Sequence, residues 1–219
     1  MNGKHGEERT VSPRLETLHK VRGGDVGPAA ATLARAFEAD PIWSKVFEGI
    51  PAQKMAVWFQ GPVLYGRKFG HVYATSELLE GIAAVVPGEY SVMNMRRMMR
   101  SGSMRLGMRM GSQLMTRAPR MMRMFAPLEA DRKEHMGGRE YVYVMIVGVD
   151  PEHQGKGFGS KLLRALIEES DRTGVPLYLE TETEANRRMY EHLGFSLLRE
   201  IVVPVVDLPM WEMLREPAS

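Results

Sequence analysis

Apolar and polar positions alternate with two distinct periods along the chain, and the change of period marks the elements. A helical spacing first appears at Ala31, Leu33, Ala34 and Phe37, with Asp25 placed as an N-cap and Pro28 in the first turn. Asp40-Pro41 stops that helix, because the residue before a proline resists the α region. Ahead of it, Glu16 to Arg22 alternates weakly and reads as a short edge strand. Met55 to Lys68 suits a second helix that Gly61-Pro62 would break or kink. His71 to Thr75 and Gly81 to Val86 are β-branched and aromatic runs that pair as an antiparallel hairpin, ended by Pro87-Gly88.

The second half is more regular. Nine of the ten residues from Glu140 to Val149 are Tyr, Val, Met, Ile or Gly, which makes this the strongest strand. Asp150-Pro151 closes it, a glycine loop follows, and a helix from Phe158 to Thr173 carries Leu162, Leu163, Leu166 and Ile167 on one face. Gly174 stops it. Leu177 to Thr181 is the next strand, and a strand–loop–helix–strand unit of this length places its two strands parallel. A short helix, Ala185 to Leu193, and two strands, Ser196 to Val203 and Met210 to Leu214, complete the sheet.

Between the halves, Met93 to Met124 holds 11 of the 18 methionines and eight arginines. Met95, Met98, Met99, Leu106, Met110 and Leu114 recur near helical spacing, and Pro119 and Pro127 bound the later part. Methionine packs adaptably, so these read as helices with a pliable apolar face. Three roles compete: a basic solvated face over a methionine core, a lid shaping an acceptor pocket, and a basic surface for anionic lipid or RNA.

The 219 residues suit one domain, with 1–15 as a disordered leader and 16–219 as the folded unit. With 44% apolar and 26% charged residues and a formal charge of +2, the chain fits a globular protein and gives no warrant for nucleic-acid binding. No apolar run approaches the ~20 residues of a membrane helix, and no membrane partner is expected. Cysteine is absent. This excludes disulfides, thiolate metal sites and a cysteine nucleophile, no metal is called for, and a cytoplasmic location is the default.

The candidate chemistry begins at Gln154-Gly155-Lys156-Gly157-Phe158-Gly159-Ser160. Glycines between a strand end and a helix start leave backbone N–H groups free at the positive end of the helix dipole, a cradle for pyrophosphate. A glycine-rich tight turn is the plainer alternative. A Walker loop needs Gly-x4-Gly-Lys-Ser/Thr, and no window supplies it. A dinucleotide fingerprint would require glycine where Ser160 stands.

Gln154-x-x-Gly157-x-Gly159 after a strand resembles the acetyl-CoA signature of the GCN5-related N-acetyltransferase (GNAT) family. Asn186, Tyr190 and Gly194-Phe195 resemble that family's second cofactor segment. The run Val147 to Gly157, Leu179-Glu180-Thr181 and Tyr190 to Phe195 look most like the puromycin N-acetyltransferase branch. The resemblance covers about Glu140 to Leu214.

It implies an α/β fold with a mixed, partly antiparallel sheet of six to seven strands flanked by helices, splayed between its two central parallel strands. Residues 16–139 would form the acceptor side and 140–215 the acetyl-CoA half. Val147, Gly148 and Val149 would hold the pantetheine arm through their backbone, the Gln154 to Ser160 amides the pyrophosphate, and Asn186 the pantetheine arm again. Tyr190 would stand near the sulfur.

A thiol has an ordinary pKa of ~8.5 and tyrosine ~10, so Tyr190 can protonate a thiolate without ionising at neutral pH. Glu180 is the first choice of general base; Glu182, Glu140, His135 and Tyr143 also lie on or near the splayed strands, and water is a further acceptor. The implied reaction is direct acetyl transfer from acetyl-CoA to the primary amine of a small molecule, with no covalent enzyme intermediate. A protein N-terminus or lysine as acceptor, and a non-catalytic acyl-CoA sensor, are the alternatives. The oligomeric state is open, a homodimer included.

Overall fold

The computed structural model describes residues 11–110 and 117–218. Seven strands form one sheet: β1 (His19–Lys20), β2 (His71–Ala74), β3 (Gly81–Pro87), β4 (Val142–Val149), β5 (Leu177–Thr181), β6 (Ser196–Val203) and β7 (Leu208–Arg215), in the order β1-β2-β3-β4-β5-β7-β6. The helices are α1 (Pro13–Glu16), α2 (Val26–Ala36), α3 (Pro41–Val46), α4 (Ala52–Phe69), α5 (Met95–Ser101), α6 (Arg105–Met110), α7 (Ala118–Met136), α8 (Phe158–Thr173) and α9 (Glu184–His192). Every strand pairing is antiparallel except β4 with β5.

Two apolar layers sandwich the sheet. On one face Leu162, Leu163 and Leu166 of α8 and Leu15 of α1 pack on Val85, Val144, Leu179 and Met213. On the other, Leu33, Ile42, Phe59, Val63 and Met124 from α2, α3, α4 and α7 cover Ile82, Ala84, Met145, Ile146 and Met210.

The parallel pair is joined only at Val142↔Leu177 and Tyr143↔Tyr178; β4 then runs on to Val149 and β5 to Thr181 without pairing. A local cause lies on the other edge of β4. Ala84 pairs with Ile146 while Val85 pairs with Val144, so Met145 is an extra residue that bends the strand. Met145, Ile146 and Val147 are half-buried although β4 is the middle strand of seven. The expected splay is therefore a physical cleft in the sheet.

Several expectations need correction. The leader was expected to reach residue 15, yet Ser12 is buried, its hydroxyl caps α1 at the Leu15 amide (3.4 Å), and its own N–H donates to Glu169 of α8 (2.7 Å). Residues 1–10 lie outside the described residues. The strand expected over Glu16 to Arg22 shrinks to His19–Lys20, because Ser12 and Pro13 start a helical turn there instead.

Asp25 does not cap α2 with its side chain; that carboxylate accepts from the Arg22 amide (2.7 Å) and pairs with His19 Nε2 (3.0 Å). Helix α4 runs through Gly61-Pro62, and α7 through Pro127. In both, buried stripes flank the proline (Phe59 and Val63; Met124 and Leu128), so tertiary packing outweighs the lost hydrogen bond. No helix among the described residues is long and apolar enough to cross a membrane.

Candidate active site

The loop after β4 is held open by side chains at its base. Asp150 accepts from the Glu152 amide (3.1 Å) and from Arg35 Nε of α2 (2.7 Å), which fixes the turn leaving the strand. Gly155 (φ 75°) and Gly157 (φ 84°) then adopt left-handed backbone, a conformation costly for any residue with a Cβ. Gly157 is the N-cap of α8. The amides of Gly155, Lys156 and Gly157 find no acceptor among the described residues. Those of Phe158, Gly159 and Ser160 belong to the first helical turn and have none within the helix. Six N–H groups thus converge at a positive dipole end, exposed or half-buried, and the cradle fits a pyrophosphate.

The neighbouring lysines are partly engaged. Lys156 Nζ donates to the Glu152 carbonyl (2.9 Å) and stays beside the loop. Lys161 Nζ reaches instead to the Thr75 carbonyl (2.6 Å), tying α8 to the β2–β3 turn. The His153 ring meets Phe158 edge-on at 5.8 Å.

Gly148 sets the cleft wall. A Cβ there would sit 3.0 Å from Leu33, Ala36 and Phe37, so only glycine lets α2 press against β4. The backbone of Val147, Gly148 and Val149 has no strand partner on the β5 side. The Gln154 side chain returns to the Val149 carbonyl (3.3 Å) and closes the loop on the strand end.

Across the cleft, Thr183 caps α9 by accepting from the Asn186 amide (3.2 Å), leaving the exposed Asn186 side chain without a hydrogen bond among the described residues. About one turn later Tyr190 is buried against Phe195, rings 5.4 Å apart and edge-on. Its hydroxyl has no hydrogen-bond partner among the described residues. Burial first, and the nearby Glu182 charge second, push its pKa above the ordinary tyrosine value, so it stays protonated.

The acidic candidates separate into distinct environments. Glu180 is buried and ion-paired with Arg132 of α7, whose guanidinium lies 4.1 Å from the centre of the Tyr143 ring. Burial pushes the Glu180 carboxyl up, and Arg132 opposes the shift. Glu212, its register partner on β7, is also buried; Oε2 meets His135 Nε2 at 3.0 Å, while Oε1 and the buried Tyr178 hydroxyl have no partner within hydrogen-bond geometry. Burial, then Asp131 and Glu180, raise Glu212 to about 8. Tyr143 belongs to this cluster and is likewise pushed up by burial.

Glu182, just past β5, differs: burial first, and the neighbouring Asp40 carboxyl second, push it well above the usual carboxylate range. Asp40 also caps α3 by accepting from the Ile42 and Trp43 amides, both at 2.9 Å. Glu140 stands apart, beside Tyr141 and Arg139 in a groove at the opposite end of β4 from the glycine loop.

Sequence reasoning missed Arg132 and Asp40. A signal existed for each. Met121, Met124, Leu128, Arg132 and Met136 form one buried helical stripe, and an arginine in an apolar stripe demands a buried acid opposite. Asp40-Pro41, read only as a helix stop, has the N-cap and N1 signature of the helix that follows.

The acetyltransferase (GNAT) domain family matches residues 125–197, which include β4, the glycine loop, β5 and α9. The chain carries a GNAT acetyltransferase domain. The match begins within α7, so Leu128, Arg132 and Met136 of the buried stripe fall inside it. An uncharacterized N-acetyltransferase of Schizosaccharomyces pombe is 37% identical over 79 residues, covering 35% of this chain and 32% of that protein. The L-methionine sulfoximine/L-methionine sulfone acetyltransferase of Salmonella typhimurium is 35% identical over 77 residues, 34% of this chain and 45% of that one. This chain thus spans less than half the length of these curated relatives.

The structure of a histone acetyltransferase HPA2 and related acetyltransferase from Corynebacterium glutamicum superposes with a TM-score of 0.60 over 93% of this chain and 97% of that one, at 19% identity. That likeness is one of fold. It extends the GNAT architecture from the matched segment to nearly the whole chain.

Proposed function

We propose that the protein transfers an acetyl group from acetyl-CoA to the primary amine of a small molecule. What supports this reading is the set of six loop amides beyond the end of β4, where the sheet splays, together with Tyr190 on α9 after β5, whose hydroxyl stays protonated. Acetyl-CoA supplies the activated acetyl thioester when bound. The amides of Gly155 to Ser160 hold its pyrophosphate, the unpaired backbone edge of Val147 to Val149 its pantetheine arm, and Asn186 adds a side-chain contact. Tyr190 keeps a proton at its hydroxyl, because its raised pKa prevents ionisation, and it donates that proton as a hydrogen bond towards the departing sulfur. N–H groups of the β4 edge near Gly148 face the developing oxyanion.

Over the reaction a proton leaves the amine nitrogen and one is gained by sulfur. Glu180 is poorly suited to accept the first, since Arg132 already satisfies its carboxylate; its part is to anchor α7 beside the cleft. The small-molecule acceptor finds support in the Salmonella relative, whose name gives amino-acid-like substrates. The narrower likeness to the puromycin branch rests on the loop and α9 residues and bears on the donor half only.

Thiol release on mixing the protein, acetyl-CoA and a panel of primary amines tests the reading. Turnover with a small amine is expected. Release only with peptide N-termini or lysines would move the acceptor to protein, and tight acetyl-CoA binding with no release would make the domain a sensor.

A further inference from the structure

The segment between β3 and β4 carries a surface that acetyl transfer does not use. The whole-chain charge of +2 conceals it: residues 91–128 contain eight arginines and 11 methionines and not one Asp, Glu or Lys. Among the described residues none of these arginines forms an ion pair, whereas Arg35, Arg132, Arg139, Arg199 and Arg215, outside the segment, each hold a carboxylate.

Helices α5 and α6 lie along α4 and run in the opposite direction. At one end the Arg100 guanidinium stands 5.8 Å from the centre of the Phe69 ring. In the middle the Ser103 hydroxyl donates to the Gly61 carbonyl (3.3 Å), and at the other end Lys54 Nζ donates to the Arg109 carbonyl (2.7 Å). Ser103 and Leu106 are buried on the inner side of this arm. The solvent side, where a polar face is the rule, is apolar instead. Met95 and Met99, one helical turn apart, are 63% and 62% exposed, and Met104 is 42% exposed. Arg96, Arg100, Arg105 and Arg109 are exposed among them.

A partner for this arm must satisfy both residue types. The guanidinium fork binds phosphate oxygens bidentately, and its long stem holds the charge at a polar boundary while shorter apolar neighbours go deeper. Methionine, unbranched and flexible, adapts to an irregular apolar phase. RNA offers the same phosphates, but no Phe, Tyr or Trp lies between Tyr90 and Phe125 for bases to stack on.

We infer that the α5–α6 arm is a docking surface for an anionic lipid bilayer. Its methionines enter the boundary of the acyl chains and its arginines hold lipid phosphates at the level of the headgroups. The absence of an apolar run long enough to span a membrane does not bear on this surface, since an arm lying on a bilayer needs only one apolar side. The inference stands independently of the acetyl-transfer reading.

Co-sedimentation of the protein with two kinds of vesicle tests it, one of phosphatidylcholine alone and one mixed equally with phosphatidylglycerol. Binding to the anionic vesicles is expected to be at least about tenfold tighter than to the neutral ones, and to weaken as salt is raised. Arg96→Gln with Arg100→Gln should weaken it about thirtyfold, at about fivefold per charge. Met95→Ser with Met99→Ser should weaken it at least about tenfold. Both pairs are exposed, so the urea midpoint and acetyl-CoA affinity should stay unchanged.

Equal binding to both vesicles, or binding to neither, would overturn the inference on the native protein alone. Anionic-vesicle binding that survives the methionine substitutions would overturn it by leaving charge as the whole effect. Tighter binding to an oligouridylate than to the anionic vesicles would overturn it in favour of RNA. A dimer that the methionine substitutions dissociate, without vesicle binding, would overturn it in favour of a second copy of the chain.

Discussion

The two walls of the sheet cleft do their work with different parts of the chain. The wall we assign to the donor, Val147 to Ser160, is continuous in sequence and would act through backbone: unpaired strand edge, left-handed glycines and free amides at the start of α8. The wall we assign to the acceptor gathers Asp40, Phe125, Arg132, Glu180, Glu182 and Glu212 from separate parts of the chain and would act through side chains. The contrast is sharpest between Glu180 and Glu182, two residues apart. One is paired with an arginine, and the other stands next to a second acid that raises its pKa. Position along a strand does not define a carboxylate's chemistry. The segment packed over it does.

Breaking the acceptor wall should cost most. Arg132→Met leaves the Glu180 carboxyl buried without its partner, and a loss of about 3 kcal/mol in urea unfolding is expected. Adding Glu180→Gln should recover much of it. A double variant as unstable as the single one would show that Arg132 stabilises by packing alone.

On the donor wall the expected effect is smaller. Gly157→Ala meets no neighbouring atom within 4 Å, so its cost is the left-handed backbone itself, about 1–2 kcal/mol. Acetyl-CoA affinity, read by calorimetry, should fall with it, because relaxing that strain turns the amides away. Unchanged affinity would remove Gly157 from the cradle.

A third effect, visible only as a dependence on pH, concerns Glu212. Its native pKa of about 8 exceeds the ordinary 4.5, so the folded protein keeps a proton that the unfolded chain gives up. Stability from this group is complete below about pH 4.5 and declines as pH rises towards 8. Glu212→Gln should flatten that part of the stability–pH curve. An unaltered slope would mean that native Glu212 is ionised and paired with His135.

How far the sequence could be read follows the same division. The bounds of α8 and β5 were legible to the residue, because Leu162, Leu163 and Leu166 repeat at helical spacing and Gly174 ends the run. The loop was legible for a related reason: a glycine needed for left-handed backbone is visible where it stands. The splay itself came only through family resemblance, since a bulge at Met145 leaves no mark in a run of apolar residues.

The Arg132–Glu180 and Asp40–Glu182 pairs were hidden because each joins residues more than forty positions apart. Pro62 and Pro127 misled for a third reason, since local propensity yields where both sides of a helix are buried.

The central claim is that the two walls meet in one reaction, with Tyr190 reaching the leaving sulfur. Steady-state thiol release by Tyr190→Phe, alongside calorimetric titration with acetyl-CoA, tests it most directly. The account predicts a kcat lowered by about a hundredfold with acetyl-CoA affinity nearly unchanged. An unchanged kcat, or equal losses in rate and affinity, would contradict it and leave Tyr190 as a core aromatic packed on Phe195.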